Sequence, residues 1–405
     1  MRTAERPEAP VEERPERDTE RERILRGLRY CLWVFLGLRI GLSLLGLAGI
    51  GLLPGLEPVG VRGWPANQTT QGWHNLITMW ERFDALWFLR IASGGYIDGD
   101  GSAVFFPGYP LAIRLFTPLL GGHPLGAGLV VSHLATFGSM VVLYFLTASE
   151  LDEAVARRTV LYLAVFPSSF FLLAPYSESL FLFLVLVALW AARRRRWELA
   201  GLAGIGVSAT RNIGVLIALP LAVEAVQQLK ERRDVRLFGR GVLWSFVAVL
   251  GALAYLLFWR SLSGDLLAPL NQQANWLREP SFPLATALSA TREAFRYPGV
   301  YPGGYHLVDW LVVTPALIAA GWVLVRTRPM YAAYTWASLL APMSFAFLPR
   351  PFMSVPRFLL PIFPILWAGA VWARGRPAVD RALVACSAAL LGIMTILFVG
   401  WYYVF

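Results

Sequence analysis

The sequence predicts an all-α polytopic membrane protein, on three observations. Hydrophobic residues make up 57% of the 405 and charged residues only 15%, where a soluble domain carries about a quarter. Eleven apolar segments follow one another at about 30–53, 124–149, 159–174, 177–192, 197–210, 212–229, 238–260, 307–325, 331–348, 358–373 and 381–402, which predicts about eleven transmembrane helices. The basic residues collect in alternate gaps between these segments, the asymmetry that orients membrane proteins.

The first 29 residues hold eight arginines and eight acids. They contribute nothing to the formal charge of +10 and read as a disordered cytoplasmic tail, residues 1–29, ahead of one transmembrane domain, residues 30–405. The segment 30–53 is too long for a signal-peptide core and predicts an uncleaved first span. The later basic clusters are Arg193 to Arg196, then Lys230, Arg232, Arg233, Arg236 and Arg240, then Arg326 and Arg328, then Arg374, Arg376 and Arg381. Placed with the tail on the cytoplasmic side, they account for most of the positive charge, and nucleic acid is not needed as a partner. Two large external loops result, at about 54–123 and 261–306. Within the first, residues 104–122 are apolar but interrupted by Pro107, Pro110 and Pro118 and carry Arg114. A crossing there would turn every later basic cluster outward, so a re-entrant or interfacial segment is expected.

Several function classes lose their signatures. Cys31 and Cys386 sit in apolar runs near opposite ends, which gives neither a disulfide framework nor a cysteine-ligated metal. The sequence holds no Walker motif, no GxGxxG and no HExxH. It shows no repeat of the kind common in secondary transporters. The four histidines have no ligand spacing, and Asn67-Gln68-Thr69 is a glycosylation sequon by pattern only.

The densest cluster of the first external loop is WERFDALWFLRIASGGY, from Trp80 to Tyr96. On a helix, Trp80, Asp84, Trp87, Phe88 and Ile91 share one face, so the Asp84 carboxylate lies among aromatics with no local cation. An acid so placed needs a cavity or a distant partner; the plainer role is to complement a helix N-terminus, a place Glu81 already fills. In PYSES (175–179), Ser177 could cap the next span, with Glu178 in its first turn. In SATRN (208–212), Arg211 falls between two short helices on the outer side, against the inside bias, and is a candidate anion ligand. In PRPFMSVPRFLLP (349–361), the planar forks of Arg350 and Arg357 suit phosphate near the lipid headgroups, with interface anchoring as the alternative for one of them. Asp98-Gly99-Asp100-Gly101 has the look of a metal-binding DxD, yet aspartates among glycines are more often an exposed turn.

These motifs, with FFPGYP (105–110), YSESLF (176–181), SATRNIG (208–214), and SVPRF followed by Phe363-Pro364, resemble the PIG-V type of GPI mannosyltransferase and its bacterial relatives over roughly residues 30–370. The resemblance implies a GT-C glycosyltransferase fold, with the catalytic acid in the first large external loop, which maps to Asp84, and a second large loop between the seventh and eighth spans. It implies inverting transfer of a sugar, mannose in the family, from a polyprenyl-phosphate donor at the extracytoplasmic face of the cell membrane. Asp84 would be the general base, and one positioned carboxylate suffices for inversion. Arg357, Arg211 and Arg350 would hold the donor phosphate in place of a metal. Trp80, Trp87, Arg90, Tyr96, Tyr109, Tyr176, Glu178 and His306 complete the expected substrate-binding set. No cofactor is expected; a divalent ion at Asp98 and Asp100 is the exception to test. Membrane lipids surround the protein, and the acceptor is a glycan, lipid or protein: 35 arginines to one lysine suggest a bacterial chain, for which a GPI anchor is not the substrate. A lipid-linked saccharide flippase or other transporter is the second reading.

Overall fold

The computed structural model describes residues 20–64, 72–296 and 303–404. The chain opens with α1 (Glu20–Leu52), about 50 Å long at 1.5 Å per residue. It starts ten residues inside the stretch expected to be tail, because Glu20 and Glu22 sit in the first turn, where the helix dipole favours acids. One face of α1 is buried through Cys31, Leu38, Leu42, Gly46 and Gly49, while Trp33, Ile40, Leu44 and Leu52 are exposed, as a lipid-facing side would be.

The first loop region contains α2 (Asp84–Gly94) and α3 (Gly108–Phe116). Nine residues give α3 a length of about 14 Å, too short to cross a ~30 Å hydrocarbon core. It buries Tyr109 and Ile113 and leaves Leu111 and Leu115 exposed, an amphipathic arrangement that agrees with the non-spanning expectation for residues 104–122.

The bundle continues with α4 (Pro124–Glu150), α5 (Glu153–Val165), α6 (Ser177–Arg193), α7 (Trp197–Thr210), α8 (Ala218–Arg232), α9 (Val235–Val247) and α10 (Leu250–Ser263). After the second loop region come α11 (Pro283–Arg296), α12 (Gly303–Arg326), α13 (Pro329–Met343), α14 (Val355–Leu359), α15 (Pro364–Trp372) and α16 (Pro377–Val399). Each of the eleven apolar segments coincides with helix at least in part. Among the described residues, six helices are long and apolar enough to cross a membrane: Glu20–Leu52, Pro124–Glu150, Asn212–Arg232, Val235–Ser263, Gly304–Arg326 and Pro377–Val399. The other five segments form shorter helices. Proline sets several of the limits: α5 ends before Pro167, and Pro361 and Pro364 split the segment 358–373, since proline removes a helical donor and disfavours helix before it.

Helix connectivity separates two ends of the molecule. Arg193 to Arg196 join the C-terminus of α6 to the N-terminus of α7, whose far ends carry Glu178 and Arg211. At 17 residues, α6 puts about 24 Å between them. Lys230 to Arg236 likewise link the far end of α8 to α9. The only strands among the described residues are β1 (Glu279–Pro280) and β2 (Phe345–Ala346), paired antiparallel with Glu279 opposite Ala346. This short ladder fastens the second loop region to the stretch that leads into α14.

Candidate active site

Asp84 is the first residue of α2, and the residue before it, Phe83, has φ 52° and ψ −117°. A non-glycine residue with positive φ costs about 1–2 kcal/mol, and the surroundings hold it there. Arg82 is buried, with Nε donating to the Val399 carbonyl at 3.1 Å and Nη1 to the Thr78 carbonyl at 2.9 Å. The Tyr176 hydroxyl donates to the Arg82 carbonyl at 2.9 Å. The helix therefore begins at Asp84 and excludes Trp80, so the single helical face from Trp80 to Ile91 is not formed.

Three distant motifs meet at this carboxylate. Arg357 in α14 donates through Nη1 to Asp84 Oδ2 and through Nε to Glu178 Oε1. Arg211 donates through Nη1 to the same Glu178 oxygen at 2.5 Å. Glu178, in the first turn of α6, is fully buried. Ser177 is the first helical residue and not the cap; Tyr176 holds that position without a side-chain capping bond. Arg211 is presented by the break between α7 and the 3₁₀ turn Asn212–Ile217, where its backbone is extended. Gly214 makes the break possible, since a Cβ there would come within 2.1 Å of the Val207 carbonyl oxygen. The guanidinium of Arg357 lies 4.7 Å from the Tyr176 ring centroid, and that of Arg211 lies 4.9 Å from Phe358, contacts that favour a partly desolvated cation. Burial works against the charge of Arg357, but Glu178 and Asp84 outweigh it and hold its pKa above the usual arginine range.

A cavity of about 130 Å³ opens onto this network. Asp84, Phe105 and Phe106 line it from the first loop region, Gln273, Trp276 and Arg278 from the second, Arg211 and Asn212 from the α7 break, and Ser354, Arg357 and Phe358 from the α14 turn. Tyr403 closes it from the C-terminal end. The two loop regions read from charge sorting thus share one concave surface. Trp87 stacks on Phe105 at 5.4 Å and meets Trp276 edge-on, which backs the aromatic wall without lining it. Tyr176 sits beneath Asp84 and Arg357 in a smaller adjoining pocket.

Other expected site residues lie elsewhere. Arg350 is buried and makes a two-pronged pair with Asp309, Nε to Oδ2 at 2.6 Å and Nη2 to Oδ1 at 2.8 Å, with a further bond to the Val404 carbonyl. Its Nε and Nη2 donors are used within the protein, and it does not line the cavity. Arg90 is buried against Asp100 at 2.5 Å and the Gly95 carbonyl at 3.1 Å. Asp100 Oδ1 also accepts the Ser102 N–H, so both oxygens of this DxD aspartate have partners in a turn. Trp80 is wholly buried under Arg39. Tyr96 donates to the Phe105 carbonyl at 2.7 Å, and Tyr109 bonds Gly128 and Ser132 inside the bundle. Tyr96, through Phe105, and Tyr109, through Phe88, back the cavity wall. His306 lies in the first turns of α12, away from the cavity lining. The sequon falls outside the described residues.

The residues missed by sequence reasoning are Gln273, Trp276, Arg278 and Tyr403. For Arg278 a signal was present: it is another arginine in an expected external loop, against the inside bias that singled out Arg211 and Arg357.

Six membrane-length helices, with a cavity where a helix-start carboxylate faces paired arginines, define a membrane protein with an acid-and-arginine candidate active site. Residues 61–248 match the mannosyltransferase (PIG-V) family, which bears out the resemblance read from the motifs; four of the five motifs fall inside the matched region. GPI alpha-1,6-mannosyltransferase 2 of Cricetulus griseus is 35% identical over 148 residues, 33% of this chain and 29% of that protein. The Mus musculus protein of the same name is 32% identical over 182 residues, 40% of this chain and 35% of that one. The matches span about a third of the length of these relatives. Among solved structures, ArnT from Cupriavidus metallidurans bound to undecaprenyl phosphate superposes with a TM-score of 0.47 at 14% identity, covering 92% of this chain and 76% of that one.

Proposed function

We propose that the chain is a GT-C type membrane mannosyltransferase with about eleven crossings, transferring mannose from a polyprenyl-phosphate donor to an acceptor at the extracytoplasmic face. The observation that carries this reading is the convergence of Asp84, Arg211 and Arg357 on one cavity, tied together by the buried Glu178, from motifs that resemble the family. The acceptor hydroxyl attacks the anomeric carbon, its proton passes to Asp84, and the bond from that carbon to the lipid phosphate breaks with the electron pair left on phosphate oxygen. Arg357 uses Nε and Nη1 on the two carboxylates, which leaves Nη2 for the leaving phosphate. The charge that develops there meets arginine already in place, so little reorganisation accompanies the step.

Incubation of the purified protein with polyprenyl-phosphate mannose and a membrane extract, followed by mass analysis, tests the reading. A new hexose-bearing product that is lost in Asp84→Asn is the expected result. Movement of a lipid-linked saccharide across vesicles without covalent product would replace it with the transporter reading.

A further inference from the structure

We infer that Arg278, in the second loop region, is a principal ligand of the donor phosphate, forming an anion subsite with the Ser354 hydroxyl across the cavity from Asp84. This rests on the polyprenyl-phosphate reading proposed above and adds to it a residue outside the motifs that carry the resemblance.

Glu178 and Asp84 supply two negative charges and Arg211 and Arg357 two positive ones, joined in one continuous chain of ion pairs at the cavity. Arg350, the remaining arginine expected to hold phosphate, is committed to Asp309. Arg278 lines the same cavity, and among the described residues it has no ion-pair partner. Its bonds go to neutral oxygens, Nη2 to Ser354 Oγ at 2.9 Å and Nη1 to the Phe345 carbonyl at 3.3 Å. An uncompensated, half-buried guanidinium in a cavity is costly unless an anion arrives. The electrostatics agree: burial and the neighbouring Arg357 push the pKa of Arg278 down, opposite to the direction found for Arg357. A bound phosphate supplies the compensating negative charge.

The backbone aims the side chain. Leu277, just before Arg278, has φ 54° and Ser354 has φ 66°, left-handed conformations that neither residue type prefers. With Phe83 before Asp84, that puts three of the six described non-glycine residues with positive φ at this cavity, as strained backbone commonly clusters at functional sites. The β1–β2 ladder begins at the residue after Arg278, so the arginine cannot swing far from Ser354. The resulting site has one net positive charge, the complement of a phosphodiester, which carries one negative charge.

The test compares the affinity of the full-length protein for a polyprenyl phosphate with its affinity for the corresponding polyprenol, in wild type, Arg278→Gln and Arg278→Lys. The inference expects the preference for phosphate over alcohol to fall about tenfold or more in Arg278→Gln and to be partly kept in Arg278→Lys, with polyprenol binding unchanged. A purely structural role would weaken both ligands together and leave the preference intact, and so would overturn the inference. If Arg278→Gln does not fold, the lysine variant decides, because keeping the charge but losing the fork lowers the preference only where the fork holds phosphate. Sugar transfer by wild type alongside an unchanged preference in the variants sinks the Arg278 assignment alone. Absence of transfer and of any phosphate preference in wild type sinks the donor reading itself.

Discussion

Glu178 accepts a hydrogen bond from Arg211 Nη1 at 2.5 Å in a fully buried position, and the same oxygen accepts from Arg357. This carboxylate is the counter-ion for both arginines of the candidate site and reaches no solvent itself. Glu178→Gln is therefore expected to be worse than a surface change. Removing one partner of a buried pair costs about 3–5 kcal/mol, and the loss should appear as a lower unfolding temperature together with a raised KM for donor. A stable variant with normal donor use would show that the arginines do not depend on it.

Asp84→Asn should behave differently. The side chain is partly accessible and keeps the volume of the original, so stability should change little. Transfer should fall about 10²–10⁴-fold, the range for loss of a general base, in a single-turnover assay with donor bound. Turnover close to wild type would remove Asp84 from the chemistry.

Arg350 and Arg357 make a matched pair of tests. Arg350→Ala strands the buried Asp309 and should destabilise by about 3–5 kcal/mol, with an unchanged ratio of donor to acceptor KM in the protein that folds. Replacing both partners with apolar residues, Arg350→Met with Asp309→Leu, should recover much of that stability. Arg357→Ala should raise the KM for donor more than for acceptor. The opposite pattern would reverse the roles assigned to the two arginines.

Gly108 lies where α3 meets the end of α7; a Cβ there would come within 2.6 Å of Thr210 Oγ1 and 3.0 Å of the Ala209 carbonyl. Gly108→Ala should force the two elements apart at a cost of about 1–3 kcal/mol. Because the next residue after Thr210 is Arg211, thermal unfolding and donor KM should both shift. Unaltered kinetics would mean that the α7 break is held independently of α3.

A chelator should leave transfer unchanged, since Asp100 is engaged by Arg90 and the Ser102 N–H. Inhibition reversed by a divalent ion would point to a rearranged Asp98–Asp100 turn.

Much of the site was legible because membrane proteins make polar residues conspicuous. Asp84, Glu178, Arg211 and Arg357 stood out as charges against an apolar background and an inside bias, and they are the four that the fold joins. Arg350 stood out by the same rule, but its partner Asp309 lies 41 residues away, and no local pattern reveals such a pairing. Arg90 was read as a ligand because no local pattern shows its closure onto Asp100, ten positions further along the chain. The helix around Asp84 was placed one turn too early, since the positive φ of Phe83 is imposed by tertiary bonds to Arg82 and not by its own side chain. The helical segments were located correctly, whereas their lengths depended on where each proline fell.

The preference for arginine over lysine has a geometric result at Arg357. A guanidinium is planar and rigid from Nε to Nη1, and those two atoms bind Glu178 and Asp84 respectively. The side chain therefore works as a gauge block between Glu178 and Asp84, fixing their separation. A displacement of the first turn of α6 is therefore passed on to the Asp84 carboxylate, which a single ammonium on a flexible stem would absorb.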